Sequence, residues 1–562
     1  MVVTLIKAVN TTAKTCSLCL SDSLAYHRSK SQFISSNPSY PDSSLTSLRK
    51  REFSRLDTNG GSVYLDYTGA SLYPSSLISD HAKWLKRSVA GNPHSTSPSS
   101  LLSSRATEEA RKAVLDFFDA DETEYDVVWT SNATAGFRIV GETYDWTGKK
   151  VLIPRDAHNS LNSLAKKAEV GGGSFEFVEF DSASSSSNGG GGQRDTISTD
   201  AYLTALSQHS NSQDASEAQK GLVFFTGQSN ITGAKLSLSP LLSKAKELGW
   251  DIGLDAAALA PSTRISLRTH SSIDFMVVSL YKICGYPTGL GALIMKKSMY
   301  GKMTKKQTFF GGNIVGITMD RFDFTLVDGP ERFEDGTANF TAMAAVKPGL
   351  EFAARWMDKV AKRNRMLLKW LVKELDSIYY PVEGGKEGFD EKQSFSSSSA
   401  SSSFSSSSLK KPCHSKAVKL VQIGGPTALD IRGSTLPLVF TSHCGDSLNY
   451  RFVIWCAAQE SISLRGGPCM CNPGASSSVM QRGLITDLEA SSLLAVADVG
   501  IVRVSLGIAT NFKDVWRLVH FARKLTDQRW VEKMWKSYQE FYPGGSLSNN
   551  IDELQALATR KR

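Results

Sequence analysis

The sequence is poor in cysteine and has neither a long apolar run nor a concentrated block of basic residues. Eight of its 562 residues are cysteines, and most lie in apolar segments, which is typical of reduced thiols. Cys16 and Cys19 have C-x-x-C spacing without a second pair nearby, so we expect no metal site. No stretch of 18 apolar residues occurs, and the net charge of +9 is spread along the chain. We therefore expect no membrane span and no nucleic-acid partner.

The composition, with 41% hydrophobic and 21% charged residues, suits two or more globular domains. Residues 181–192 and 394–412 are low-complexity stretches rich in serine, and we expect both to be surface loops. Residues 1–57 are rich in serine and basic residues, which predicts a disordered or targeting segment. A disordered tail favours a cytoplasmic protein, whereas a transit peptide would direct the chain to a plastid or mitochondrion.

Short apolar runs alternate with helical patterns between residues 127 and 296. The runs VVWTS, VLIP, FEFVEF, GLVFFTG, DIGLD and FMVVS are typical of strands, and residues 159–168 and 238–247 are typical of helices. This alternation predicts an α/β fold with a largely parallel sheet covered by helices. Residues 510–540 predict one or two amphipathic helices.

Polar residues follow these strands, at the edge where α/β sheets bind their ligands. Lys282 lies in an apolar stretch, where an ammonium group costs several kcal/mol unless it is neutral, paired or covalently used. A loop lysine that reaches water is the alternative interpretation. The other candidates at strand ends are Ala133, Thr134, His158, Gln228, Asn230, Asp255 and Ser279.

Together these residues match the needs of pyridoxal 5′-phosphate. The cofactor requires a lysine for a Schiff base, a carboxylate for its pyridine nitrogen and a helix start for its phosphate. Lys282, Asp255 and the stretch that contains Ala133 and Thr134 supply these groups. A single aspartate or histidine at a strand end is more often a helix cap or a loop residue, so the prediction depends on the complete set.

Longer motifs indicate a family. They are VYLDYTGASLYP, GNPHS, TSNATAGF, QSNITG, LDAA, SLYKICGYPTGLGAL, FFGGN, RFEDGTANF and VRVSLGIATNFKDV. With them, residues 60–530 resemble class V aminotransferases of fold type I, and most of all the cysteine-desulfurase-like domain of molybdenum cofactor sulfurases. The resemblance implies a large cofactor-binding domain at 91–344 with a mostly parallel sheet. It also implies a smaller α+β domain at 58–90 plus 345–545, followed by a tail at 546–562.

The resemblance also assigns roles around the cofactor ring. It implies that Lys282 is the Schiff-base lysine, that Asp255 pairs with the pyridinium nitrogen and that His158 stacks on the ring. Many desulfurases have a glutamine three residues after the aspartate, but this chain has Ala258 there. Contact between that position and the ring oxygen is therefore not expected.

The remaining contacts implied by the resemblance involve the phosphate, the ring hydroxyl and the substrate. Thr134 and Ser279 match the phosphate contacts, beside the backbone of Ala133. Asn230 is a candidate partner for the ring hydroxyl. Arg503 matches the arginine that binds the substrate carboxylate, for which a planar guanidinium is well suited.

The cysteine loop departs from the family pattern. Aligned on CNPGA, Cys471 is the candidate for carrying a persulfide and Cys469 is its neighbour. Measured from Arg465, both cysteines are displaced by one residue, and Ser476 stands where the pattern has its last cysteine. The alternatives are that Cys469 carries the sulfur, or that both are incidental loop cysteines.

The reaction implied by the resemblance is cysteine desulfuration by a homodimer. Lys282 or His158 would move the α-proton of L-cysteine, and Cys471 would accept the sulfur. The alternatives are a lyase or aminotransferase acting on another amino acid, and a pyridoxal-phosphate-binding protein without turnover. Sulfurases continue into a second domain, whereas about 20 residues follow the last helical pattern here. We therefore expect that domain to be absent, and the final sulfur acceptor stays open.

Overall fold

The structure, a computed structural model, describes residues 20–40, 42–58, 60–181, 196–208, 221–303, 311–321, 323–381, 417–481 and 500–542. The predicted loop 394–412, nearly all of the loop 181–192 and the tail 546–562 lie outside these ranges, as do Cys16 and Cys19. Within them, no helix is both long enough and apolar enough to cross a membrane.

The strands in these ranges are short. In chain order they are β1 (Val63–Tyr64), β2 (Tyr125–Thr130), β3 (Lys150–Pro154), β4 (Ser174–Val178), β5 (Leu222–Thr226), β6 (Asp251–Asp255), β7 (Phe275–Ser279), β8 (Gly291–Lys296), β9 (Ile314–Ile317), β10 (Phe324–Leu326), β11 (Val421–Ile423), β12 (Thr435–Phe440), β13 (Ile462–Ser463), β14 (Arg465–Gly467) and β15 (Ile501–Ser505).

The helices in the same ranges vary more in length. They are α1 (Leu20–Ser36), α2 (Asp42–Glu52), α3 (Ser75–Arg87), α4 (Pro98–Phe117), α5 (Ala133–Thr143), α6 (Asn159–Val170), α7 (Thr199–Gln208), α8 (Leu238–Glu247), α9 (Leu280–Cys284), α10 (Phe340–Met343), α11 (Val346–Asp376), α12 (Tyr450–Gln459), α13 (Pro473–Gln481), α14 (Phe512–Lys524) and α15 (Gln528–Phe541).

A seven-stranded sheet in the order β2-β8-β7-β6-β5-β3-β4 is the centre of the described fold. The strands from β7 to β4 pair in parallel, whereas β8 is antiparallel to both β2 and β7. Every residue of β5, β6 and β7 is buried, which explains why their sequences are continuous apolar runs. The six predicted strands and the largely parallel sheet are confirmed, but the sequence did not predict β8.

Helices cover both faces of this sheet. On one face, the core includes Val114 from α4 and Leu241 from α8. On the other face, Phe137 from α5 and Leu161 from α6 pack against Phe224 of β5. The helices predicted at 159–168 and 238–247 are therefore confirmed as α6 and α8.

A second, antiparallel sheet has the order β11-β12-β15-β14. It packs with the long helix α11 and with α14 in a separate core that includes Leu367, Leu438, Val504 and Phe512. The pattern at 510–540 forms two helices, α14 and α15. This sheet delivers Arg503 on β15 and Arg465 on β14 to the site described below. The domain boundaries themselves stay a prediction.

The N-terminal segment corrects one expectation. Residues 20–57 are not disordered, because α1 and α2 bury Phe33, Leu45 and Leu48 against the rest of the fold. Arg49, also buried, donates to Asp514 on α14 at 2.5 Å. The prediction failed because the segment has few apolar residues, although those few lie where the helices can bury them. Residues 1–19 lie outside the described ranges, so the cellular compartment stays a prediction.

Candidate functional site

Lys282 lies on the one-turn helix α9, which begins directly after β7. The helix ends at Gly285, whose φ of +76° is left-handed. A Cβ at this position would lie 2.3 Å from the backbone nitrogen of Tyr73, so glycine is required here for both conformation and space. The lysine lines a cleft together with Gln228 and Ala258. It is therefore a cleft residue rather than a lysine on an open loop.

The surroundings of Lys282 favour a neutral amine. Burial lowers the pKa of the Lys282 ammonium; Asp255 and Cys471 raise it in part, whereas the positive charges of Arg503 and Arg465 lower it further. A neutral lysine is the nucleophile that condenses with an aldehyde. The same interactions show that groups from both sheets and from the cysteine loop act on one lysine.

Asp255 is the last residue of β6, the neighbour of β7 in the sheet, and His158 follows β3. Asp255 is buried, and its Oδ1 accepts a hydrogen bond from the backbone of Ala257 at 3.0 Å. His158 caps α6, with Nδ1 accepting from the backbone of Ser160 at 3.2 Å. Burial lowers the pKa of His158; Asp255 raises it in part, and Lys282 lowers it. The structure thus brings these three predicted residues together, and His158 is also a helix cap.

The predicted phosphate contacts meet at the start of α5. The backbone nitrogen of Ala133 donates to Ser279 Oγ at 2.9 Å. Thr134 Oγ1 lies 2.7 Å from Ser160 Oγ. The N-terminus of this 11-residue helix carries a partial positive charge, and the hydroxyls of Ser279 and Thr134 add donors for an anion. These three residues therefore lie together, as predicted.

Arg503 is 3% exposed and joins the two sheets. Its Nη1 donates to the backbone oxygen of Asn230 at 3.0 Å, and its Nη2 donates to Asp66 Oδ1 at 3.0 Å. Arg465 Nε also donates to Asp66, at 2.9 Å from Oδ2. Because two guanidinium groups share one carboxylate, this cluster carries one excess positive charge among the described residues. That charge suits a substrate carboxylate.

Asp66, Arg465 and Gln228 were not given functional roles from the sequence. Asp66 lies in the motif VYLDYTGASLYP, where a carboxylate after an apolar run was the available signal. Arg465 served only as an alignment point. Gln228 was noted at a strand end, and its amide packs so closely on Gly433 that a Cβ there would lie 2.2 Å from Gln228 Oε1.

The arrangement of donors fits pyridoxal phosphate. Two buried polar atoms at the site, Gln228 Oε1 and Arg503 Nε, have no hydrogen-bond partner among the described residues. Leaving such an atom unpaired costs about 1–3 kcal/mol, so their presence around one cleft indicates a polar ligand. The lysine, the buried carboxylate of Asp255 and the start of α5 supply the three kinds of group that this cofactor requires.

The cysteine loop lies against the same site. The carbonyl oxygen of Cys471 accepts from the backbone nitrogen of Asn159, next to His158, at 2.7 Å. Asn230 Nδ2 donates to the carbonyl of Met470 at 3.2 Å. Cys471 is exposed, whereas Cys469 is half-buried. The loop is therefore anchored beside His158 with the Cys471 residue open to solvent.

Comparison with known proteins supports the resemblance seen in the sequence. The molybdenum cofactor sulfurase of Arabidopsis thaliana is 28% identical over 523 residues, which cover 86% of this chain and 58% of that protein. The protein of the same name from Bos taurus is 27% identical over 519 residues, which cover 86% of this chain and 52% of that protein. This chain thus spans somewhat more than half the length of these curated relatives.

Solved structures have the same fold. The apo cysteine desulfurase of Thermococcus onnurineus NA1 has a TM-score of 0.63 at 20% identity, covering 86% of this chain and 98% of that chain. The cysteine desulfurase CsdA of Escherichia coli has a TM-score of 0.60 at 17% identity, with the same coverage. These likenesses confirm fold type I. The family described as aminotransferase class-V matches residues 63–387, more than half of the sequence. The chain therefore belongs to the aminotransferase class-V family of pyridoxal-phosphate-dependent enzymes.

Proposed function

We propose that this protein is a cysteine desulfurase-like enzyme that moves the sulfur of L-cysteine to the thiol of Cys471 and releases alanine. The observation that carries the proposal is the hydrogen bond from Asn159 to the Cys471 carbonyl, which anchors the cysteine loop beside His158. The thiol of Cys471 also acts electrostatically on Lys282. A sulfur acceptor needs this combination of exposure and proximity to the reacting centre.

Pyridoxal phosphate, when bound, supplies an electron sink for the negative charge that develops on the substrate. Lys282 would hold the cofactor, and Asp255 would pair with its ring nitrogen. The start of α5, with Thr134 and Ser279, would bind its phosphate. His158 would lie on the ring, and its lowered pKa keeps the imidazole neutral at neutral pH, as stacking requires.

In the proposed reaction, Arg503 binds the carboxylate of L-cysteine. Asn230 lies beside it, since its backbone oxygen accepts from Arg503. The lowered pKa of Lys282 favours its neutral amine, which can accept the α-proton; His158 is the second candidate for this step.

The sulfur-transfer step leaves the cysteine loop oxidised and the substrate carbon reduced. The Cys471 thiolate attacks the substrate sulfur, so that a new S–S bond forms and the substrate C–S bond breaks. The electron pair of the broken bond stays with the substrate carbon, which takes up a proton, and alanine leaves. The balance is one thiol and one L-cysteine giving one persulfide and one alanine, without an external oxidant.

The curated relatives are named for the sulfuration of molybdenum cofactor, and this chain matches 52–59% of the length of several of them. Our proposal for this chain therefore ends at the persulfide on Cys471. The molecule that takes this sulfur from Cys471 can be sought once the persulfide is detected.

The test compares two single variants. Cys471→Ser should bind pyridoxal phosphate and L-cysteine normally, because neither set of contacts involves its thiol, but alanine formation should fall by orders of magnitude. Cys469→Ser is the matched control and should lose little. Mass spectrometry of the peptide that holds both residues, after incubation with L-cysteine, should show a gain of one sulfur atom that is absent from Cys471→Ser.

Other outcomes point to the alternatives. Full turnover in Cys471→Ser together with sulfur lost from Cys469→Ser would make Cys469 the acceptor. Unchanged alanine formation in both variants, with no added sulfur, would favour a lyase or aminotransferase acting on another amino acid. A bound chromophore without turnover of any amino acid would favour a non-catalytic protein.

We also propose that the enzyme is a homodimer. Val315 and Met319, on and just after β9, are 70% and 76% exposed, next to the described end of the FFGGN motif at 311–313. Two exposed apolar side chains four residues apart suit contact with a second copy. Sedimentation should give a dimer, and replacing both residues by glutamate should shift it toward monomer; a monomeric native protein would contradict the proposal.

A further inference from the structure

Asn472 is fully buried although the residue before it, Cys471, is exposed. Its Nδ2 donates to Asp156 Oδ1 at 2.7 Å and to Asn230 Oδ1 at 2.9 Å. Its Oδ1 accepts from the backbone nitrogen of Ala475 at 3.1 Å. Both amide hydrogens and the amide oxygen therefore have partners, so the side chain has one favourable orientation in this environment.

The side-chain partners of Asn472 follow two different strands of the central sheet, β3 and β5. Asp156 lies two residues before His158, in the connection between β3 and α6. Asn230 follows β5, and its backbone oxygen accepts from Arg503. The chain segments after these two strands are themselves joined, since Ser229 Oγ donates to Asp156 Oδ1 at 2.9 Å. A single amide thus fixes the cysteine loop to the connection that carries the histidine and to the residue whose backbone oxygen contacts Arg503.

The backbone next to Asn472 needs such support. Met470 and Cys471 have φ values of +40° and +61°, in the left-handed region that residues with a Cβ rarely adopt. Such a residue is strained and persists where its surroundings hold it. The carbonyls of both residues are held, by Asn230 and by Asn159. Asn472 is the next residue along the chain, and its side chain also contacts Asn230.

We infer that Asn472 is a positioning residue that holds the Met470–Cys471 turn, and with it the Cys471 thiol, beside His158. The inference rests on the proposed function of Cys471 as sulfur acceptor. Asn472 acts through the loop backbone and not on the substrate. Its removal should therefore affect the sulfur-transfer step much more than the binding of L-cysteine.

The first test is Asn472→Ala in the enzyme loaded with pyridoxal phosphate. A displacement of about 1 Å can cost on the order of 10²-fold in rate. The kcat for alanine formation should therefore fall about 10- to 100-fold, while the KM for L-cysteine should change by less than about threefold. The matched control is Ser476→Ala, which loses one hydrogen bond within the same loop, from Ser476 Oγ to the Cys469 carbonyl at 2.9 Å. This control should keep kcat within about twofold.

A second measurement does not depend on turnover. The backbone amide of Asn159 donates to the Cys471 carbonyl, so its hydrogen exchange reports whether the loop is seated. Amide hydrogen exchange in the peptide that contains Asn159 should be roughly tenfold faster or more in Asn472→Ala, and unchanged in Ser476→Ala. Native exchange and native kcat in Asn472→Ala would overturn the inference.

A third variant covers the case in which Asn472→Ala does not fold. Asn472→Asp has the same shape but places a carboxylate against Asp156, and two carboxylates at this distance repel each other when both are ionised. Its kcat relative to the native enzyme should therefore rise when the pH is lowered far enough to protonate one of the two carboxylates. A ratio independent of pH would contradict the proposed contact.

The outcomes separate this inference from the proposed function. If Cys471→Ser abolishes alanine formation but Asn472→Ala does not, the sulfur acceptor is right and the positioning role is wrong. If Cys471→Ser keeps full turnover, the proposed function fails, and the exchange measurement still decides whether Asn472 seats the loop.

Discussion

The site has two halves that are held in different ways. In the half built on the central sheet, functional side chains lie at or after strand ends, and two of them have local supporting bonds: Asp255 accepts from Ala257, and His158 accepts from Ser160. In the half built on the second sheet, support comes from far along the chain. Asp66 bonds Arg465 and Arg503 across 399 and 437 residues.

This difference teaches which part of the site depends on assembly of the whole fold. Local caps form whenever their helix and strand form. A buried carboxylate shared by two arginines exists only after the chain around β1, which carries Asp66, and the second sheet have packed together. The cofactor-binding half is therefore self-supporting, whereas the substrate-binding half depends on contacts between distant segments.

The largest effect is expected for the lysine of the sheet half. Lys282→Ala should lose the visible absorption of the bound cofactor and the adduct that borohydride traps, because Lys282 is the lysine that lines this cleft in the described part of the chain. The matched control is Lys296→Ala, on β8 of the same sheet, where the lysine pairs with Asp274; it should keep both signals. A trapped adduct in Lys282→Ala would move the cofactor to another lysine.

The next largest effect concerns the carboxylate of the same half. Asp255→Ala should keep the phosphate contacts at Ala133 and Ser279, and therefore should still bind the cofactor. Loss of one electrostatic stabiliser costs about 2–4 kcal/mol in the barrier, or roughly 30- to 10³-fold in kcat. Rates of alanine formation and cofactor affinity would be measured together. Near-native turnover would show that Asp255 does not act on the ring.

The predictability of the two halves follows the same division. Asp255, Ser279 and Lys282 could be predicted because each follows an apolar run, and parallel strands bring their carboxyl ends to one edge. The strand β8 was not predicted, since its apolar residues continue the glycine-containing stretch after Lys282 without a clear strand boundary. An antiparallel strand inserted between parallel ones has no local signal of its own.

The substrate half was predicted only in part. The resemblance to a family supplied Arg503, but the partnership of Asp66 with two arginines is a long-range contact that no spacing in one sequence encodes. Asn472 was likewise quoted only inside a motif. The helices α1 and α2 were wrongly expected to be disordered, because composition averages over the few residues, such as Phe33 and Leu48, that the fold buries.

A smaller effect would show that the two halves act on each other. Arg465 lowers the pKa of Lys282, although burial is the larger cause. Arg465→Met removes a positive charge and leaves the negative charge of Asp66 less compensated, and both changes favour the ammonium form. The pKa of Lys282 should therefore rise.

The readout is the pH dependence of cofactor uptake by the apoprotein, because the neutral amine reacts. In Arg465→Met, uptake should be slower than in the native protein at neutral pH, and the difference should vanish at a pH above both pKa values. Arg264→Met is the control: Arg264 pairs with Asp358 on an exposed surface and should leave the profile unchanged. An unshifted profile in Arg465→Met would mean that the substrate half does not tune the lysine.

The smallest effect is expected outside both halves, for deletion of residues 394–412. The described chain on either side of this serine-rich stretch is paired: Tyr380 donates its backbone N–H to the Val418 carbonyl at 2.8 Å, and Lys419 forms an ion pair with Asp376 at 2.5 Å. The connection thus leaves and re-enters the fold at one place, and a shorter segment can close it.

The free energy of loop closure depends weakly on length, at roughly 0.6 kcal/mol per doubling. The free energy of unfolding should therefore change by less than about 1 kcal/mol, and the rate of alanine formation should stay within about twofold. Urea unfolding and the alanine assay would measure both. Loss of the folded protein on deletion would mean that the serine-rich stretch docks on the fold, contrary to its composition. Loss of activity with native stability would instead join this stretch to the substrate half, whose parts already come from distant segments of the chain.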